Sequence, residues 1–220
     1  MTDKDLELAQ MLCTRLCHDL AGPVGAVAAG VELIGGDPAQ ADAETLGLVG
    51  SSSAAASLKL KFMRAALGAA GAAAQDPKAL LDGYLTAVAG PGGKTAVMWP
   101  APEVLAVGLA ALGNAWVHTL LNLCLLALET QPACKALSVS IMDTDAVTVI
   151  IESKAAPERT ASVRAELSAA VAGAPEAVLT PKTIHGNLTG RLVRAAGGRV
   201  ELAAQGNIVT VTAVFPKVAA

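Results

Sequence analysis

Aromatic side chains are nearly missing from this sequence: two Trp, one Tyr and two Phe among 220 residues, 2% in all. Charge is scarce too, with 16% charged residues and a formal net charge of −3. A chain with neither a basic stripe nor stacking rings lacks what nucleic-acid binding needs, so nucleic acid is not expected as a partner. The start, Met1-Thr2-Asp3-Lys4-Asp5-Leu6-Glu7, is acidic and lacks the basic-then-apolar order of a secretory signal. Cytoplasmic residence is therefore expected. Cysteine is limited to four, Cys13, Cys17, Cys124 and Cys134, without paired close spacings beside histidines at ligand distance. They are read as ordinary buried thiols, and no metal site is expected.

What is abundant is apolar: 53% of the residues, ample material for a core that needs neither metal nor disulfide. The length fits one to two domains. The 25 residues from Val104 to Leu128 contain no Asp, Glu, Lys or Arg, which is long enough to span a bilayer. Asn114, His118 and Asn122 recur every fourth residue along that run, Gly108 and Gly113 interrupt it, and no Lys or Arg cluster flanks it. The expectation is a buried helix of a soluble domain and no membrane contact.

Two regions separate near Gln75. Residues 1–75 read as two long helices joined by a turn at Gly35-Gly36-Asp37-Pro38. Cys13, Cys17, Leu20, Val24, Val27, Val31 and Ile34 alternate in fours and threes, and so do Leu46, Val49, Ser53, Ala56, Leu60, Met63 and Leu67. Each set makes a coiled-coil-like seam. A lone hairpin leaves half of each stripe in water, so a homodimer forming a four-helix bundle is expected.

Residues 76–220 mix types. Helices are expected over Pro77 to Val88, Pro102 to Glu129, Glu158 to Ala172 and Pro181 to Ala196. Strands are expected over Thr95 to Trp99, Leu137 to Met142, Val147 to Glu152, Arg199 to Ala203 and Ile208 to Phe215. Turns at Asp143-Thr144-Asp145-Ala146 and Ala204-Gln205-Gly206-Asn207 join neighbouring strands. The whole is an α+β fold, a helical hairpin followed by an α/β sandwich with helices gathered on one face of the sheet.

His18 stands in Leu16-Cys17-His18-Asp19-Leu20-Ala21-Gly22-Pro23. If Cys17 and Leu20 face the bundle, His18 and Gly22 point outward. The face beyond His18 carries Ala21, Gly22, Gly25, Ala26 and Ala29, almost bare of side chains. Glycine inside a helix costs about 1 kcal/mol relative to alanine, so a bare strip beside a histidine asks for a reason, and close approach by another protein supplies one. Arg15, one turn earlier, is placed to neutralise a phosphoryl group. Asp19 is placed to orient the imidazole or accept its proton. A catalytic His118 is the weaker reading, with Asn114, His118 and Asn122 satisfying one another or the backbone. His185, beside a glycine, reads as a solvated loop residue.

The run His18-Asp19-Leu20-Ala21-Gly22-Pro23-Val24-Gly25-Ala26-Val27, ending in Glu32-Leu33-Ile34, resembles the phospho-acceptor helix of sensor histidine kinases. It is closer still to the ChpT-type histidine phosphotransferases of alphaproteobacterial phosphorelays. That resemblance implies a dimerising hairpin and a second domain shaped like a kinase ATP-binding domain but without nucleotide. It implies His18 as phospho-acceptor, receiver domains of response regulators and an upstream hybrid histidine kinase as partners, and no cofactor beyond magnesium on the receiver. Leu120 to Ala127 is similar to the kinase asparagine box with only Asn122 kept, since the metal-coordinating second position is Leu126, which cannot bind magnesium. Ser153-Lys154-Ala155-Ala156-Pro157 stands where a kinase has Asp-x-Gly-x-Gly, and Thr183 to Gly190 holds only scattered glycines. The rival readings are a non-catalytic dimeric adaptor and an active histidine kinase.

Overall fold

The computed structural model describes residues 3–36, 41–68, 75–89, 95–175 and 177–217. The first helix, α1 (Asp3–Gly36), runs for 34 residues, and α2 (Ala43–Leu67) follows with Asp42 as its cap. The Asp42 carboxylate accepts from Thr45 N–H at 2.7 Å, a bond that holds the carboxyl below its usual pKa. The expected turn at Gly35-Gly36-Asp37-Pro38 extends beyond the described residues. The helices pack antiparallel and closely: a Cβ built on Gly30 would collide with Val49.

The face of α1 turned toward α2 and the second region carries Leu12, Leu16 and Asp19, one residue before the expected seam. The seam itself is split. Cys17, Val24 and Val31 on α1 and Leu46, Ser53 and Leu60 on α2, each set spaced by seven, are exposed, whereas Met63 is buried. The cysteines follow this division. Cys124 and Cys134 are buried thiols as expected, but Cys13 and Cys17 are exposed, because α1 turns that edge to solvent.

In the second region α3 (Pro77–Val88) starts at a proline behind the Asp76 cap, whose carboxylate accepts from Lys78 N–H at 2.9 Å. A five-stranded sheet follows in the order β1-β2-β3-β5-β4, with β1 (Ala96–Met98) parallel to β2 (Ala136–Asp143) and the other pairs antiparallel. Side chains alternate along β3 (Ala146–Lys154) and β5 (Ile208–Pro216). Val147, Val149 and Ile151, with Val209, Val211, Ala213 and Phe215, are buried, and Thr148, Ile150, Thr210 and Thr212 lie half-buried on the other face. Register pairs Ile151 with both Val139 and Val211, which lines up the buried residues across three strands. The hairpin from β4 (Arg199–Gln205) into β5 turns at Gly206-Asn207, with Gly206 at φ 57°.

The long apolar run is not one helix. It divides into α4 (Pro102–Leu112), a 3-10 turn at Gly113–Ala115 and α5 (Trp116–Thr130). Gly113 takes φ 54°, which side chains rarely adopt, and Gly108 leaves room that a Cβ would take from the Trp116 indole. The 102–130 segment has the length and a mean hydropathy of 1.6 that could cross a membrane. The break lets its second half, α5, lie on the sheet with Leu120, Leu121, Leu123, Cys124 and Leu125 buried.

Two other helices begin later than expected. The helix predicted from Glu158 is α6 (Ala165–Ala172), because Ala155 and Ala161 donate their N–H groups to Asn207 and Gly206 carbonyls, at 3.0 and 2.8 Å. The helix predicted from Pro181 is α7 (Ile184–Ala195), entered through a turn in which Thr183 Oγ1 accepts from Thr180 N–H at 2.9 Å.

The two regions share one core. Phe62, Met63, Ala65 and Ala66 at the end of α2 are buried in the same cluster as Leu81, Trp116, Leu120 and Val211. The Phe62 ring stacks on Tyr84 at 4.3 Å between centroids.

Candidate functional site

Helical phase places His18 on the outer side of α1, where its side chain is 87% exposed. Its Nδ1 lies 3.5 Å from Asp19 Oδ1. The backbone here is interrupted. Pro23 stands inside the helix and has no N–H for the carbonyl four residues back, so the Asp19 carbonyl loses its helical donor. Lys59 Nζ, reaching across from α2, donates to that carbonyl at 3.2 Å. The helix is thus held at the residue beside His18.

Arg15 was expected to face a phosphoryl group. Its guanidinium is instead turned to the second region, where Nη1 donates to Glu129 Oε2 at 3.0 Å and Nη2 pairs with Oε1. Its Nε is 3.7 Å from Asp19 Oδ2. Burial alone would lower the Arg15 pKa, but the Glu129 carboxylate, with Asp19 beside it, holds it above the usual value. The nearby Tyr84 hydroxyl is pushed up to about 12 by burial and by the charge of Glu129.

The bare strip is real, but its members differ. Gly22, Gly25 and Ala29 are exposed, and Ala26 is half-buried. Apart from the adjoining backbone of the helix itself, nothing lies within 4 Å of a Cβ placed on Gly22 or Gly25, so packing against the described residues does not require these glycines, in contrast to Gly30.

The polar trio does not form one helical stripe. Asn114 is exposed in the 3-10 turn, and His118 is half-buried, with burial pulling its imidazole pKa down. Asn122 is fully buried and donates to the carbonyls of Ala66 at 2.6 Å and His118 at 2.8 Å. The asparagine that resembles the first of the kinase asparagine box therefore fastens α2 to α5. His185 is a correction as well. It is 3% exposed, lies in the first turn of α7, and sets Nε2 3.1 Å from the Asn122 carbonyl. The α5–α7 contact makes that neighbourhood interior. Asp5 and Arg191, 2.5 Å apart, tie α1 to α7.

Sequence reasoning missed Glu129, Lys59 and Tyr84. One signal was present for Lys59: a proline four residues after Asp19 announces an orphan carbonyl that needs a donor. Beside Arg15 a groove of about 840 Å³ opens toward the second region, its rim carrying Lys135, Arg159, Arg164 and Lys182 against Glu129 and Glu158.

The site is thus an exposed histidine with a carboxylate beside it, on a helical hairpin packed on an α/β sandwich. Residues 74–208 match the family described as histidine phosphotransferase C-terminal domain, and the chain belongs to that family. It is 46% identical over 68 residues to the protein phosphotransferase ChpT of Brucella abortus (strain 2308), a stretch covering 31% of this chain and 32% of that protein. The match thus spans about a third of the curated relative's length. A solved bacterial phosphotransferase covers 97% of this chain, over 98% of its own, at 25% identity and a TM-score of 0.70.

Proposed function

We propose that this protein is a histidine phosphotransferase that passes a phosphoryl group between receiver-domain aspartates in a cytoplasmic phosphorelay. The observation that carries the reading is the exposed His18 imidazole, with a carboxylate at Nδ1 and a side-chain-free strip beside it. Asp19 facing Nδ1 favours the proton on that nitrogen and leaves the Nε2 lone pair free. Nε2 attacks the phosphorus of a receiver's acyl phosphate, the bond from phosphorus to the aspartyl oxygen breaks, and the aspartate leaves as a carboxylate. A second receiver aspartate then attacks the phosphohistidine and restores the imidazole. Positioning, together with magnesium carried by the receiver, supplies the catalysis. The donor in this scheme is an upstream hybrid histidine kinase, and the acceptors are response regulators. The basic rim of the groove beside Arg15 offers an acidic receiver surface a second contact. Incubation with a phosphorylated receiver domain is the test: acid-labile phosphate must appear at His18, and a protein that never takes the label is an adaptor.

The protein acts as a homodimer in this reading. Val24 and Val31 are each 54% exposed, Leu46 is 52% and Leu60 44%, and a second hairpin packed there completes a four-helix bundle. Leu60→Asp is expected to give monomers by analytical ultracentrifugation without unfolding the protomer, because Leu60 is already half in water. A dimeric variant refutes the bundle.

No nucleotide is needed. Leu126 stands at the metal position, the Asp-x-Gly-x-Gly stretch is absent, and Asn122 is engaged with Ala66. Isothermal titration with magnesium-ATP is expected to give no heat of binding at physiological concentrations, and a micromolar dissociation constant would favour a kinase.

A further inference from the structure

A line of charges crosses from the second region to the phospho-acceptor. Glu129, near the end of α5, takes both terminal nitrogens of Arg15. The remaining nitrogen of the same guanidinium is 3.7 Å from Asp19 Oδ2, and Asp19 Oδ1 is 3.5 Å from His18 Nδ1. Two carboxylates thus compete for one guanidinium, and the bidentate fork goes to Glu129. We propose that Glu129 is a positioning residue for phosphotransfer: by holding Arg15 it leaves Asp19 free to fix the tautomer of His18. The proposal rests on His18 being the acceptor.

The physical reasoning is short. A neutral imidazole carries one proton, and a carboxylate beside Nδ1 stabilises N–H there while repelling a lone pair. The nucleophile is then Nε2. Arg15 and Asp19 are four residues apart on one helix, a spacing at which guanidinium and carboxylate meet readily. With Glu129 neutralised, Arg15 has one carboxylate left and closes on Asp19 bidentately. The oxygens that faced His18 are then taken, and the preference for Nδ1–H is lost.

The other polar groups nearby do not replace Glu129. Lys59 binds the Asp19 backbone carbonyl rather than its carboxylate. Tyr84 is a neutral hydroxyl held protonated by burial, and His185 is turned to the Asn122 carbonyl. Among the described residues, Glu129 and Asp19 are the carboxylates paired with Arg15.

The test uses the full chain as wild type, Glu129→Gln, Glu129→Asp and the Arg15→Gln/Glu129→Gln pair. Long-range proton–nitrogen NMR on the unphosphorylated protein reads the His18 tautomer, and labelled phospho-receiver reads the transfer rate. Wild type is expected to hold the Nδ1–H form. Glu129→Gln is expected to lose it and to transfer on the order of tenfold more slowly, with Glu129→Asp in between. The double variant is expected to regain both, since nothing then draws Asp19 away. A role limited to fastening the two regions predicts the opposite: an unchanged tautomer in Glu129→Gln and a double variant at least as slow. Either outcome overturns the proposal. Should Glu129→Gln fail to fold, the double variant still decides, because a tautomer unlike wild type there is fatal to the idea. Failure of wild-type His18 to take label would overturn the phosphotransfer reading itself, while the tautomer series still judges the positioning.

Discussion

His18→Ala is expected to reduce phosphate acceptance from a receiver to background while leaving fold and dimer in place. The side chain is 87% exposed, and among the described residues its polar neighbour is Asp19, at 3.5 Å. Exposed substitutions of this kind change stability by about 0.5 kcal/mol or less, and alanine is the better helix former. Acid-labile label, melting temperature and sedimentation are the three measurements. Label persisting in the variant would move the acceptor elsewhere, although His185 is buried and His118 half-buried. Loss of the dimer would mean that His18 faces the bundle.

The second large effect is expected from the bare strip. Gly22→Arg places a long side chain where an added Cβ would meet nothing within 4 Å beyond the helix's own backbone, so the protomer keeps its packing. Removal of a helix-interior glycine stabilises the free protein by as much as about 1 kcal/mol. A receiver approaching His18 meets the new guanidinium first, and transfer is expected to fall by about 30-fold or more, the scale of a lost central contact in an interface. Ala26→Glu should act in the same direction but less cleanly, since Ala26 is half-buried. Transfer rates measured against receiver concentration check both. Undiminished transfer by the two variants would put the docking surface elsewhere.

The local elements were legible because their periods are strong. All five strands lie within two residues of the expected bounds, and the hairpin helices, α3 and the turn at Gly206 follow from seams, caps and turn chemistry. What failed was decided by distant partners. The run from Pro102 looks continuous until Gly113 takes a positive φ and the Trp116 indole needs the space above Gly108. Residues 158–164 have a helical composition, yet Gly206 and Asn207 carbonyls claim N–H groups within and just before that segment. For the site, His18, Asp19 and the strip could be read from one helix. Glu129 could not, because 114 residues separate it from Arg15.

The burial of the end of α2 has a consequence for how a partner is met. Swinging the second region away from the hairpin would strip Phe62, Met63, Ala65 and Ala66 of their surroundings, at about 1.5–3 kcal/mol for each large side chain. It would also part the Asn122–Ala66 bond, the Arg15–Glu129 pair and the Asp5–Arg191 pair. A protein that fires its own histidine needs a catalytic half able to travel to it. Here the halves are welded, so the imidazole and the basic rim keep a constant separation. In the function proposed above, an incoming receiver would meet a ready-made mould, with association governed by diffusion and orientation rather than by waiting for a rearrangement.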